Sequence, residues 1–193
     1  ATNEVNASLG LICATPTAGS AGVLPGCVHA LKQKFDIDEE TQLRMLFTAG
    51  AFGFVVANNA SCAGAEGGCQ AEIGSASAMA AAAIVEARGG DAEMSAHAFS
   101  IAMKNMLGLV CDPVAGLVEV PCVKRNAAGA SIALMAADMA LVGIKSRISA
   151  YEVLESMYRI GLEMSTTLKE PAKGGLAIPK TGENYRSLLL GND

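Results

Sequence analysis

The chain has 193 residues, of which 51% are hydrophobic and 4% aromatic, with no Trp and a formal net charge of −5. That length is enough for one domain with a proper core. Scattered basic residues on an acidic chain, with few aromatic rings, exclude a nucleic-acid partner, which would need a basic stripe and stacking surfaces. The longest apolar stretch, Met45 to Ala57, falls short of the roughly 20 residues that cross a bilayer. The run from Gly129 to Ile144 is interrupted by Asp138. Both read as core helices, and no membrane partner is expected.

The start carries no basic region followed by an apolar stretch, so no export signal is visible. Six cysteines in a chain too large to need staples point to a reducing cytoplasm and to metal binding or catalysis. The first residue is Ala1, on what reads as a helix already under way, so the expectation is a fragment that lacks its upstream portion.

In chain order, Asn3 to about Ile12 reads as the end of a helix, stopped by the Gly- and Pro-containing stretch Thr15 to Gly22. Gly22 to Lys34 is a second helix, with Pro25 tolerated in its first turn. Asp38 or Glu39 opens a third, Thr41 to Asn58, apolar nearly all round and therefore expected at the centre. Gln70 to Arg88 is rich in alanine, which favours helix and lets neighbours approach from every side. Met94 to Leu107, Asn126 to Val142 and Ser149 to Gly161 follow, the last capped by Ser149. The tail from Pro171 has room for one short helix near Asn184 to Leu190. The only candidate strand, Val118 to Val123, is broken by Pro121. The expected fold is all-α, a single helical domain built around buried Ala/Gly-rich helices.

Cys69, Cys111 and Cys122 sit in Gly- and Pro-rich settings that read as exposed turns. Three thiolates can hold an iron–sulfur cluster and leave one iron open as a Lewis acid. Cys69 is placed at a helix start, where free N–H groups stabilise a thiolate. The spacing matches neither a ferredoxin nor a zinc ribbon, and on spacing alone six packed structural thiols describe the cysteines better. The Ala14 to Gly26 loop offers N–H groups and the hydroxyls of Thr15, Thr17 and Ser20 to an anion. It lacks a P-loop lysine, and a tight helix connection explains it too. His29 and His97 read as helical packing or surface residues. Asn58 and Asn59 end the third helix as caps or face a cavity. Lys124 and Arg125 either bind an anion or cover surface.

The segments CATPTAGSAGVLPG at 13–26, FTAGAFGFVVANNAS at 47–61, GGCQAEIGSASAMAAAAIVEA at 67–87 and KNMLGLVCDPVAGLVEVPCVKRNAAGAS at 104–131 resemble the alpha subunit, or alpha domain, of iron–sulfur-dependent bacterial L-serine dehydratases. The resemblance covers almost the whole chain and implies that residues 1–193 are the cluster-binding catalytic domain. It implies Cys69, Cys111 and Cys122 as ligands of a 4Fe–4S cluster, and L-serine deamination to pyruvate and ammonia without pyridoxal phosphate. Thr15, Thr17, Ser20 and Asn59 are implied as substrate-side residues, because they lie in matching polar segments. The family's upstream Ser-His-Thr-Gly segment and its beta portion are not seen here. The catalytic base is therefore expected outside this chain, a beta subunit or beta domain is the expected partner in a homo- or hetero-oligomer, and the chain alone is expected to be inactive. A cluster-dependent L-cysteine desulfidase and a labile-cluster redox sensor are the competing readings.

Overall fold

The Ala-rich segment forms the axis of the domain. In the computed structural model, which describes residues 1–191, helix α5 (Ser75–Ala87) is buried at every position from Ser75 to Val85. Six alanines on it, Ala76, Ala78 and Ala80 to Ala83, are wholly inaccessible. Methyl side chains keep helix propensity high and let neighbouring backbones come close. Four helices use that freedom and pack around α5: α2 (Val23–Phe35), α3 (Glu39–Asn59), α6 (Ala92–Lys104) and α7 (Cys122–Leu141). At the α5–α7 crossing, Gly129 faces Ser77, Ile73 and Val23 so closely that a Cβ there would lie 2.6 Å from the Ser77 hydroxyl.

The outer elements are α1 (Thr2–Ala7), the short α4 (Gly64–Gly67), α8 (Ala150–Glu163) and α9 (Lys180–Leu190). Among the described residues there is no strand, and the all-α expectation holds. Among the described residues no helix is long and apolar enough to cross a membrane. Local chemistry sets several boundaries. Asp38 and Asp91 cap α3 and α6 by accepting from the amides of Thr41 and Met94. Ser149 caps α8, as the sequence predicts, and Glu152 completes a reciprocal capping box with it. α8 then buries one stripe, Val153, Leu154, Met157 and Gly161, at helical spacing.

Several expectations change. The first helix ends at Ala7 and not near Ile12, because Leu9 turns to a φ of 59°. α7 starts at Cys122, four residues before the predicted Asn126, and α9 starts at Lys180 instead of Asn184. α3 is not central. It buries only Met45, Ala49 and Val56, while Phe47 is 78% and Phe54 71% exposed. One face is held to the core, in part by Phe52 stacking on Phe99 of α6 at 5.1 Å between ring centres, a contact worth about 1 kcal/mol beyond its burial. The opposite face is apolar and open.

Candidate metal centre

The start of the axial helix is irregular where the chemistry gathers. Residues Gln70–Gly74 form a π-helical turn leading into α5, an arrangement that often marks functional sites. Cys69 stands immediately before it. The preceding Gly68 adopts φ +74°, and a Cβ there would meet the Met164 sulfur at 2.6 Å and the Leu109 carbonyl at 2.9 Å. Only glycine fits that turn. Gln70 is fully buried and pins it from two sides: its amide nitrogen donates to the Met157 carbonyl at 2.9 Å, and its oxygen accepts from Gly108 N–H at 2.9 Å. Its own backbone N–H donates to the Leu109 carbonyl. The turn is thereby tied to α8 and to the segment that leads to Cys111.

Cys111 and Cys122 flank a loop containing a one-turn 3₁₀ helix, Val114–Gly116. Cys122 is the first residue of α7. The three thiols converge: the Cys69 and Cys111 sulfurs lie within 4.8 Å of one another, and Cys122 lines the same cavity as Cys111. The expectation of exposed turns is corrected here: Cys69, Cys111 and Cys122 are all buried. The tail from α8 onward contributes to that cover, since Cys111 N–H donates to the Leu168 carbonyl and Asp112 accepts from Leu176 N–H.

Electrostatics separate the three. Hydrogen bonds from Cys111 and Cys122, aided by the Arg125 guanidinium, hold the Cys69 thiol far below its ordinary value, against the penalty of burial. Cys111 and Cys122 are pushed up, first by donating to Cys69 and then by burial. Arg125 Nη1 reaches Cys69 Sγ at 3.5 Å and donates to the Val110 carbonyl at 2.9 Å, while Nη2 pairs with Asp112 at 2.9 Å. Burial works against the charge on Arg125, but the Cys69 and Asp112 anions outweigh it and raise its pKa.

Glu72, one turn beyond Cys69, brings a carboxylate oxygen to the cluster of sulfurs. That oxygen and the Sγ atoms of Cys69 and Cys111 lie within 4.8 Å of one another. Burial raises its pKa to about 7, opposed by a hydrogen bond from Thr17 and reinforced by the charges of Cys69 and Glu170. Glu72, Cys111, Cys122 and Glu170 line one cavity of about 230 Å³ with Ala18 and Gly19 of the Gly-rich loop.

That loop is fastened by asparagines. Asn126 donates to the carbonyls of Gly19 and Cys122, both at 2.8 Å, and accepts from Gly22 N–H at 2.9 Å. Asn3 and Asn6 of α1 donate to the carbonyls of Gly19 and Ala18. Of the sequence-predicted substrate residues, Thr17 approaches Glu72. Ser20 is fully buried and serves the loop itself, bonding Thr17 and the Thr15 carbonyl. Thr15 lines a separate cavity of about 470 Å³ with Cys13 and His29. Asn59 is exposed and donates back to Val55 of its own helix. His97 faces Glu93 on α6. Lys124 is exposed and Arg125 is not, which separates two neighbours that sequence reasoning treated alike.

Glu72, Asp112 and Asn126 were missed as site residues. The signal available for Glu72 was its i+3 spacing from Cys69, which places both on one face of a helical turn. The donor set suits an iron–sulfur cluster. It comprises three thiols, one already polarised to the thiolate that ligation requires, under a local positive charge. Glycine keeps the approach open, since a Cβ at Gly64 would stand 3.2 Å from Cys111 Sγ and 2.7 Å from a Glu72 oxygen.

The family described as "Serine dehydratase alpha chain" matches residues 1–177. The chain is 66% identical over 191 residues to a Bacillus subtilis (strain 168) protein named "Probable L-serine dehydratase, alpha chain", covering 99% of this chain and 64% of that one. It is 59% identical over 193 residues to a Latilactobacillus sakei protein of the same name, covering 100% and 92%. It is 43% identical over 181 residues to "L-serine dehydratase 1" of Escherichia coli (strain K12), covering 92% and 40%. The chain thus spans about two fifths to nine tenths of the curated relatives it matches. With a match over nearly its whole length, the chain belongs to the serine dehydratase alpha chain family.

Proposed function

We propose that residues 1–193 form the cluster-carrying catalytic domain of an L-serine ammonia-lyase, which eliminates water from L-serine and yields pyruvate and ammonia after hydrolysis of the aminoacrylate. The observation that carries this reading is the convergence of Cys69, Cys111 and Cys122 around one cavity, in a chain whose relatives are named L-serine dehydratases. Cys69, Cys111 and Cys122 would hold a 4Fe–4S cluster, and the chemistry it supplies when bound is Lewis acidity, at an iron without a cysteine ligand, toward the substrate hydroxyl.

The residues of the chain prepare that site. Arg125 sets a positive charge 3.5 Å from the Cys69 sulfur and is itself held in place by Asp112 and Val110. Gln70 and Gly68 set the direction of the Cys69 turn. Asn126 closes the Gly-rich loop against the Cys122 end of α7, and the buried position of the thiols limits access of water and oxidants. The base that removes the α-proton is assigned to the beta portion of the enzyme, the proposed partner. The "L-serine dehydratase 1" relative carries sequence well beyond the matched region, which leaves room for such a portion. Buried free thiols and a cluster of this kind suit the reducing cytoplasm.

Anaerobic reconstitution followed by iron and sulfide analysis tests the assignment. The expected result is about four irons per chain, lost when Cys69, Cys111 or Cys122 is changed to Ser and kept when Cys13, Cys27 or Cys62 is changed. An iron-free parent, or equal loss in all six variants, would overturn it. Assay of the assembled enzyme with L-serine and L-cysteine decides between dehydration and desulfidation.

A further inference from the structure

We propose that Glu72 is the residue of this chain that receives the α-ammonium group of the amino-acid substrate. The inference rests on the reading above that the cavity beside the three thiols is where L-serine reacts, and it identifies what this chain itself recognises there.

The position of the carboxylate is the first reason. It lies beside Cys69 and Cys111, its oxygen within 4.8 Å of both sulfurs, at the wall of the 230 Å³ cavity that Cys122 also lines. A group bound to Glu72 is therefore adjacent to whatever the thiols hold. Bare backbone surrounds it: a Cβ at Gly64 would come within 2.7 Å of one carboxylate oxygen, and a Cβ at Gly19 within 3.4 Å of both. Two glycines keep open the space that ordinary side chains would fill.

Charge is the second reason. No residue lining this cavity is basic, and a second carboxylate, Glu170, faces it. Among the described residues no Lys, Arg or His pairs with Glu72. Arg125, the nearby cation, is committed to Cys69, Val110 and Asp112. A half-buried carboxylate at an acidic cavity calls for a cation, and the ammonium of a zwitterionic 2-amino acid supplies one with three donors. A 2-hydroxy acid of the same shape offers none. Glu72 would then set the preference for amino acids over hydroxy acids at this site.

The test uses the assembled enzyme under anaerobic conditions, with Glu72→Gln and Glu72→Asp. Iron and sulfide content, KM and kcat for L-serine, and binding of L-alanine and glycerate are measured for each. Glu72→Gln should keep the parent's iron content, raise KM for L-serine about 10- to 100-fold with a smaller effect on kcat, and weaken L-alanine by a similar factor, the range expected for one hydrogen bond to a charged group. Glycerate binding should not change, and Glu72→Asp, which keeps the charge, should fall between parent and Gln. Loss of iron in Glu72→Gln would overturn the proposal and make Glu72 a cluster ligand or its support. Unchanged KM, or equal weakening of L-alanine and glycerate, would overturn it as well. A parent without iron sinks the cluster assignment separately, and the comparison of L-alanine with glycerate then judges Glu72 alone.

Discussion

Arg125 bridges Cys69 and Asp112, with Nη1 3.5 Å from the Cys69 sulfur and Nη2 2.9 Å from the Asp112 carboxylate. Asp112 is almost fully buried and Arg125 is 17% exposed, so the pair is largely withdrawn from water. Removing one partner of such a pair leaves an uncompensated buried ion, at a cost of about 3 kcal/mol. Arg125→Met should therefore lower the stability of the purified chain in urea at pH 7 by about that amount. The double variant Arg125→Met/Asp112→Asn should recover most of it. A double variant no more stable than the single one would show that the pair is not what the guanidinium supports.

Asn126 joins three segments through one amide: the Gly19 and Gly22 backbone of the loop and the Cys122 carbonyl at the start of α7. Asn126→Ala leaves the Gly22 N–H and the Gly19 carbonyl without this partner, for a loss of about 2–3 kcal/mol. Hydrogen exchange at the Gly22 amide should accelerate well before global unfolding. Protection equal to the parent's would mean that the loop is held by α1 alone.

Two helical glycines should respond in opposite ways to the same change. Gly129→Ala puts a methyl 2.6 Å from the Ser77 hydroxyl, 3.0 Å from Ile73 and 3.3 Å from Val23, and overpacking of this kind costs about 1–3 kcal/mol. Gly50 on α3 has nothing within 4 Å of its Cβ position, so Gly50→Ala should gain about 0.5–1 kcal/mol from helix propensity. Thermal unfolding should show Tm falling for the first and rising for the second.

Burial pushes the Cys27 thiol up to about 12 from an ordinary 9.0, and its Sγ donates to the Ala130 carbonyl at 3.8 Å. The folded state thus prefers the neutral thiol. Its contribution is complete below pH 9 and is lost as the pH rises toward 12, because only the unfolded chain releases the proton readily there. The stability difference between the parent and Cys27→Ala should shrink above pH 9. Alkylation at pH 8 should modify the exposed Cys13 long before Cys27.

The helical segments were largely legible because their signals are local. Ser149 announces the start of α8 as its cap, and the alanines of α5 announce a helix that others can surround. α3 shows the limit of such reading. A run of apolar residues at every angle signals burial, yet in the structure only one face of α3 meets the core and Phe47 and Phe54 stand in the open. Hydropathy counts apolar side chains without saying which partner covers them. The cysteines show the same limit at the site. Glycine and proline around Cys69, Cys111 and Cys122 signalled turns correctly, but turns are not always at the surface, and here Leu168 and Leu176 of the tail bond to the loop that carries two of them.

By itself the amino-acid sequence determined the all-α architecture, the small-residue axis, and three thiols as the candidate ligands. These follow from propensity, capping and side-chain identity, which act within a few residues. Only the tertiary structure decided that Cys69 lies beside Cys111 and Arg125, that Asp112 pairs with that guanidinium, and that Glu72 opens onto the cavity that Cys111 and Cys122 line. Those properties depend on groups brought together from α5, α7 and the loops between them, and the charge of a buried group is set by what stands beside it in space.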